Sequence, residues 1–250
     1  GTRRVDHGGR GTAVRVNLRP YQHRDRDAVR ATFRKHKRVL LAGACGMGKT
    51  TIAADMFLRM RARGLRGLFL VDRDELIRQG SDRFSGIPHG IIKAGYPETR
   101  SLPLQVASIQ TLVRREIPPA DFVIVDEAHI SAAPSYVKVL DRYPNAWVLG
   151  ITATPARMSG APLSSVYQHL VLGATERELI ELGHLVDPVI YGPPQGAPSP
   201  DGLRTKDGDW GGGEDRVLIG DAVQHWLALG RGRRTAIYTA SCAHSVTVAE

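Results

Sequence analysis

The chain is 250 residues long, 42% hydrophobic and 24% charged, the composition of a soluble globular protein able to bury one full core and part of a second. No run of eighteen apolar residues occurs and no apolar segment follows Gly1-Thr2-Arg3-Arg4, which argues against a membrane span and a secretory leader. The net charge of +9 sits entirely in residues 1–38, which hold twelve Lys/Arg against three Asp, while the remaining 212 residues carry 22 charges of each sign.

Such a basic segment suits the backbone of a nucleic acid, whose phosphates it would neutralise, or else a flexible tail followed by a solvated helix face. The missing initiator Met points to a fragment or a processed start. Cys45 and Cys242 are far apart and lack metal-ligand spacing, consistent with reduced thiols in a cytoplasmic protein.

Residues 1–16, rich in Gly and Arg with little periodicity, read as a basic flexible arm. Leu18-Arg19-Pro20-Tyr21-Gln22 opens a helix, with Pro20 at its start and Ala28, Val29 and Phe33 at helical spacing, ending in the basic run Arg34-Lys35-His36-Lys37-Arg38. Val39 to Ala42 then reads as a strand and Thr51 to Leu58 as a helix. Between them, Gly43-Ala44-Cys45-Gly46-Met47-Gly48-Lys49-Thr50 fits G-x-x-x-x-G-K-[ST]. Glycines let such a loop curl with its N–H groups pointing inward, and the helix N-terminus adds partial positive charge where a triphosphate sits. Lys49 would reach the β- and γ-phosphates and the Thr50 hydroxyl would ligate Mg²⁺. The bare pattern also occurs as a glycine-rich turn with a surface lysine; the flanking strand and helix favour the phosphate loop.

Leu68 to Val71 reads as a buried strand and Arg73 to Gln79 as a helix. Gly90 to Ile92 and Leu104 to Ala107 are short strands, the second leading into a helix from Ser108 through Leu112. Strands alternating with helices predict a doubly wound, mainly parallel α/β domain. Phe122 to Val125 ends in Asp126-Glu127-Ala128-His129. In an open parallel sheet, ligand chemistry gathers at the carboxyl ends of the strands. There Asp126 can hold Mg²⁺ through water, and Glu127 can orient or deprotonate an attacking water. Trp147 to Ile151 runs into Thr152-Ala153-Thr154-Pro155, whose hydroxyls can bond acids on the neighbouring strand end. Thr175 to Leu182 is a helix with Thr175 as N-cap and Glu178 completing a capping box, stopped by Gly183. Val186 to Tyr191 suggests one more strand. A Gly/Pro-rich linker or loop (192–216) precedes a helix at about Val217 to Leu229 and a strand at Thr235 to Tyr238. Trp147 and Trp226 are expected in cores; Trp210 is unassigned.

Together these motifs resemble superfamily 2 helicases and translocases of the DEAH-box type related to restriction-enzyme motor subunits. The resemblance spans nearly the whole chain from Leu18 onward. It implies a RecA-like P-loop NTPase domain at 17–191 and a truncated start of a second RecA-like domain at 217–250. It also implies ATP and Mg²⁺ as ligands, with Arg19 and Gln22 reading the adenine. ATP would be held by Gly43, Cys45, Gly46, Met47, Gly48, Lys49, Thr50 and Thr51, with Thr50 and Asp126 on the metal. Lys49, Asp126 and Glu127 would be catalytic, and His129, Thr152 and Thr154 would couple hydrolysis to movement. Arg73, Ser108, Gln110 and Thr111 would contact nucleic acid, DNA in preference to RNA, with a nuclease or other subunit as a further partner and no membrane. Family motors take arginine fingers from the second domain, which here stops after one strand and a partial helix; the isolated chain is therefore expected to bind ATP and to hydrolyse it slowly.

Overall fold

The computed structural model describes residues 16–72, 77, 80–82, 84, 86–155, 163–189, 224 and 226–230. The chain divides into two compact units, Gly1–Pro188 and Val189–Glu250. In the first, seven parallel strands form one sheet: β1 (Arg38–Ala42), β2 (Gly67–Val71), β3 (Gly90–Ile92), β4 (Leu104–Ser108), β5 (Phe122–Val125), β6 (Trp147–Thr152) and β7 (His169–Leu172). Their spatial order is β3-β4-β2-β5-β6-β1-β7. The register sets Ala42 beside Thr152, Val125 beside Gly150 and Val71 beside Ser108. Because every pairing is parallel, all strand carboxyl ends lie along one edge.

The inner strands are apolar without interruption because both faces are covered. Phe69, Val71, Phe122, Ile124, Leu149 and Ile151 face the layer of α1 (Pro20–Thr32) and α2 (Lys49–Arg61). Alternate residues Leu68, Leu70, Val123, Val125 and Val148 face the layer that holds the short helices Ile109–Leu112 and Pro134–Leu140. Phe57, Phe69, Phe84 and Phe122 pack edge to face in the first layer, which fixes α2 against the centre of the sheet.

The predicted elements in this unit form with small shifts. Pro20 is the first residue of α1, and α2 begins at Lys49 rather than Thr51. Thr175 caps Glu176–Glu181 by accepting the Glu178 N–H at 3.2 Å, and Gly183 leaves that helix with φ 70°. Of the helix predicted at Arg73 to Gln79 only Ile77 is described; it is helical, as are Gly80–Asp82.

Two expectations are corrected. Residues 186–189 form no strand, and Val186 and Val189 are 89% and 74% exposed; Pro188 has no N–H to donate and no strand among the described residues pairs with the segment. The seventh strand is instead β7, an edge strand beside β1 in which only Val171 is buried, so its alternation is weak in sequence. Trp226, in the second unit, is 38% exposed, and the π-helical turn Trp226–Gly230 buries none of its side chains. The basic arm, the Gly/Pro-rich linker, Trp210 and the strand Thr235 to Tyr238 lie outside the described residues. No helix among the described residues is long and apolar enough to cross a membrane.

Candidate functional site

The phosphate loop leaves β1 at the carboxyl edge and enters α2. Gly46 and Gly48 have φ of 81° and 82°, the left-handed region that glycine alone adopts without strain. At Gly48 a second constraint applies, since a Cβ there would collide with Nε2 of Gln22. The Lys49 ammonium donates to the carbonyls of Gly43 and Ala44 at 2.9 and 3.0 Å, closing the loop on itself. Burial pulls the Lys49 pKa below the usual lysine range, while Cys45, Glu127 and Asp126 pull it upward. The two acids thus act electrostatically on the lysine, although far from it in sequence. Cys45 is exposed, Met47 is wholly buried, and Thr50 and Thr51 sit half-buried in the first turn of α2.

Parallel pairing brings the acids there. Asp126 follows β5 directly, its N–H donating to the Leu70 carbonyl of β2 at 3.0 Å. Glu127 has φ 48°, the only positive φ at a non-glycine position among the described residues. That conformation is costly and turns the chain sharply into the 3-10 turn Ala128–Ile130. His129 Nδ1 lies 3.3 Å from Glu127 Oε2 and 3.3 Å from Thr152 Oγ1. The Thr152 hydroxyl donates to the Thr154 carbonyl at 3.0 Å and accepts the Thr154 N–H at 3.1 Å, while the Gly43 N–H donates to the Thr152 carbonyl at 3.2 Å. The hydroxyl expected to bond an acid instead meets a histidine that lies beside the acid. One continuous chain of contacts runs from Glu127 through His129 and Thr152 to the first residue of the phosphate loop.

Gln22 is placed differently from a side chain free to read a base. It is 5% exposed, donates from Nε2 to the Met47 carbonyl at 2.8 Å and accepts the Arg19 N–H at 2.9 Å. Tyr21 donates its hydroxyl to the same Met47 carbonyl at 3.1 Å. The start of α1 is thereby tied to the loop. A residue that sequence reasoning missed does the same from the other side. Asp25, 1% exposed, accepts the Ala174 N–H at 2.9 Å, and the Ala174 carbonyl accepts the Ala44 N–H at 3.0 Å. Asp25 lies three residues after Gln22, hence on the same face of α1; an acid on the apolar side of an amphipathic helix was the available signal.

The expected nucleic-acid contacts divide. Ser108 and Thr111 are buried at 0% and 8% exposure, Gln110 is on the surface, and Arg73 lies outside the described residues. The phosphate site fits a nucleotide with Mg²⁺: the glycines let backbone approach closely, and lysine and acids converge. Among the described residues no three His, Cys, Asp or Glu side chains gather for a metal. A metal here would depend on Thr50, Asp126 and substrate phosphates, the usual mode for Mg²⁺.

A doubly wound parallel sheet with this loop and acid pair at its carboxyl edge defines a RecA-like P-loop NTPase domain, the first such domain of the superfamily 2 helicase type. The chain belongs to the family described as "Type III restriction enzyme, res subunit", whose model matches residues 15–157. It is 30% identical over 215 residues to the 51.5 kDa protein of Lactococcus phage (isolate 7-9), covering 82% of this chain and 43% of that one. It is 31% identical over 221 residues to the Type I restriction enzyme EcoKI endonuclease subunit of Escherichia coli (strain K12), covering 69% of this chain and 18% of that one. The chain spans less than half the length of these relatives. The fold is shared with the Type ISP restriction-modification enzyme LlaBIII bound to DNA, at TM-score 0.53 and 20% identity over 67% of this chain and 16% of that one. It is also shared with T4 UvsW, at TM-score 0.52 and 15% identity over 64% and 35% of the two chains.

Proposed function

We propose that the chain is the ATP-hydrolysing first motor domain of a longer nucleic-acid helicase or translocase of DEAH type, acting on DNA in preference to RNA. The observation that carries it is the convergence of Asp126 and Glu127 on Lys49, with Glu127 held in left-handed backbone and linked through His129 and Thr152 to the phosphate loop. Substrate ATP would lie in the loop of Gly43, Cys45, Gly46, Met47, Gly48, Thr50 and Thr51 with Lys49 on its outer phosphates, a charge arrangement that favours phosphoryl transfer. Mg²⁺, when bound, would neutralise charge on those phosphates, held by Thr50 and Asp126. Glu127 would orient and deprotonate the attacking water, and His129, Thr152 and Thr154 would pass the change at the γ-phosphate to the strand-binding surface. Arg19 and Gln22 would serve the adenine end, Gln22 through its grip on the Met47 carbonyl. Gln110 is the exposed candidate for nucleic acid, with Arg73, Ser108 and Thr111 completing that motif.

DNA as the track is supported by relatives of restriction-enzyme type, and a nuclease or other subunit as partner by the EcoKI name. A cytoplasmic site is supported by the free, exposed Cys45 thiol. A second reading, a nucleotide-gated nucleic-acid-binding module with little turnover, draws on the basic surplus of residues 1–38. An RNA helicase is the remaining alternative for the track. Steady-state ATP hydrolysis with and without single- and double-stranded DNA and RNA separates them. DNA-stimulated turnover that vanishes in Lys49→Ala and Glu127→Gln supports the motor; binding without stimulation supports the module; stimulation by RNA alone names the other track.

A further inference from the structure

At the amino ends of the strands, away from the phosphate loop, a cavity of about 1030 Å³ opens between the last turns of α1 and α2 and the start of β6. Its floor is apolar: Phe33 from the end of α1, Met56 and Met60 from α2, Leu65, and Trp147 at the first residue of β6. Its rim is cationic, with Arg30, Arg34, Lys37, Arg59 and Arg63 against one acid, Asp27. That acid is already taken by Arg26 and Arg30 at 3.0 and 3.1 Å. Arg59 pairs with Asp55 at 2.7 Å, and the Lys37 ammonium lies 4.0 Å over the Trp147 ring. Arg34 and Arg63 are exposed and make no ion pair with any described residue. Part of this charge complements the negative C-terminal ends of the two helices, which accounts for Arg30 and Arg59. It does not account for Arg34 and Lys37 beyond the end of α1, nor for two aromatics and two methionines beneath them.

We infer that this groove docks an acidic, amphipathic segment of a partner protein, its apolar side chains on Phe33, Met60 and Trp147 and its carboxylates on the arginine rim. Thioethers adapt to differing side-chain shapes, which suits a groove that receives a helix face. Charge complementarity selects the acidic partner. A nucleic-acid backbone matches the rim and not the floor, since sugar and phosphate present no large apolar group. The groove also lies at the end of the strands opposite Asp126, Glu127 and Gln110, where a track would have to pass.

The test is fluorescence anisotropy on the full chain with a fluorescein-labelled helical peptide of Glu, Ala and Leu carrying its leucines on one face. Beside it are measured a scrambled isomer of the same composition and a labelled DNA duplex. The peptide is expected to bind saturably, more tightly than its scrambled isomer, and more weakly as salt rises. The double variant Arg34→Glu/Arg63→Glu is expected to weaken it by roughly tenfold or more, and Met60→Gln to weaken it without changing its salt dependence. Circular-dichroism melting checks that both variants remain folded. No saturable binding, equal binding of the isomer, or an unchanged double variant overturns the proposal. A double variant that loses the duplex and keeps the peptide also overturns it, and assigns the groove to nucleic acid.

Discussion

The two ends of the same sheet are built on opposite terms. At the amino end, loops are stitched down by side chains that bond backbone: Asp121 accepts the Arg66 N–H at 2.8 Å, Gln168 accepts the Lys37 N–H at 2.8 Å, and Tyr143 donates to the Pro118 carbonyl at 2.7 Å. Beyond these bonds lies the cationic groove, formed by helix ends that stability alone leaves free to vary. At the carboxyl end the stitches run between motifs instead. Gln22 and Asp25 hold the phosphate loop from two sides, and His129 bridges Glu127 to Thr152. That end also stores the strain, in Glu127 and in the desolvated Lys49. Strain kept at the carboxyl end marks where the chain gives up stability for chemistry.

Lys49→Ala is expected to break the contrast most completely. ATP turnover falls by at least about 10²-fold, while the melting temperature holds or rises because a desolvated ammonium is removed, which calorimetry beside a phosphate-release assay would show. Gly48→Ala forces a side chain onto the Gln22 amide in left-handed backbone. It should cost on the order of 2–3 kcal/mol and abolish nucleotide binding, read by denaturant unfolding and titration with a fluorescent ATP analogue. Asp25→Ala leaves the Ala174 N–H without its acceptor. We expect about 1–3 kcal/mol of lost stability and weaker nucleotide binding, a pairing of effects that a side chain remote from the loop would not give. Thr152→Val keeps the shape and removes the hydroxyl that His129 and Thr154 share. Turnover should drop by about tenfold or more with nucleotide affinity nearly intact.

The smallest effect belongs to Arg24 and Glu178, paired at 2.6 Å. The Arg24 guanidinium holds the Glu178 carboxyl below the usual range. A depressed folded pKa means stability that is present above the unfolded carboxylate pKa and lost as pH falls through the folded one. In Glu178→Gln that acid-limb loss should shrink, by on the order of 0.5 kcal/mol for so exposed a pair.

Much of the carboxyl edge was legible because its chemistry is local in sequence. A loop of fixed glycine spacing, an acid pair closing an apolar strand and a threonine pair closing the next each announce a strand end, and parallel order then brings them together. What escaped was non-local. Asp25 acts on Ala174, two residues beyond β7, an edge strand with one buried residue and hence little periodicity. Val186 to Tyr191 reads as a strand, yet no described strand pairs residues 186–189. The Thr152 hydroxyl reads as an acid's partner because a histidine four residues beyond β5 is not visibly its neighbour until the 3-10 turn folds it back.

The central claim is that Lys49 and Glu127 serve one nucleotide site in different roles, and binding and turnover measured on the same samples test it most directly. Titration with a fluorescent ATP analogue and phosphate release with DNA present should show Lys49→Ala losing both, while Glu127→Gln keeps binding and loses turnover. Equal loss of binding in both variants, or turnover that survives Glu127→Gln, would contradict the account.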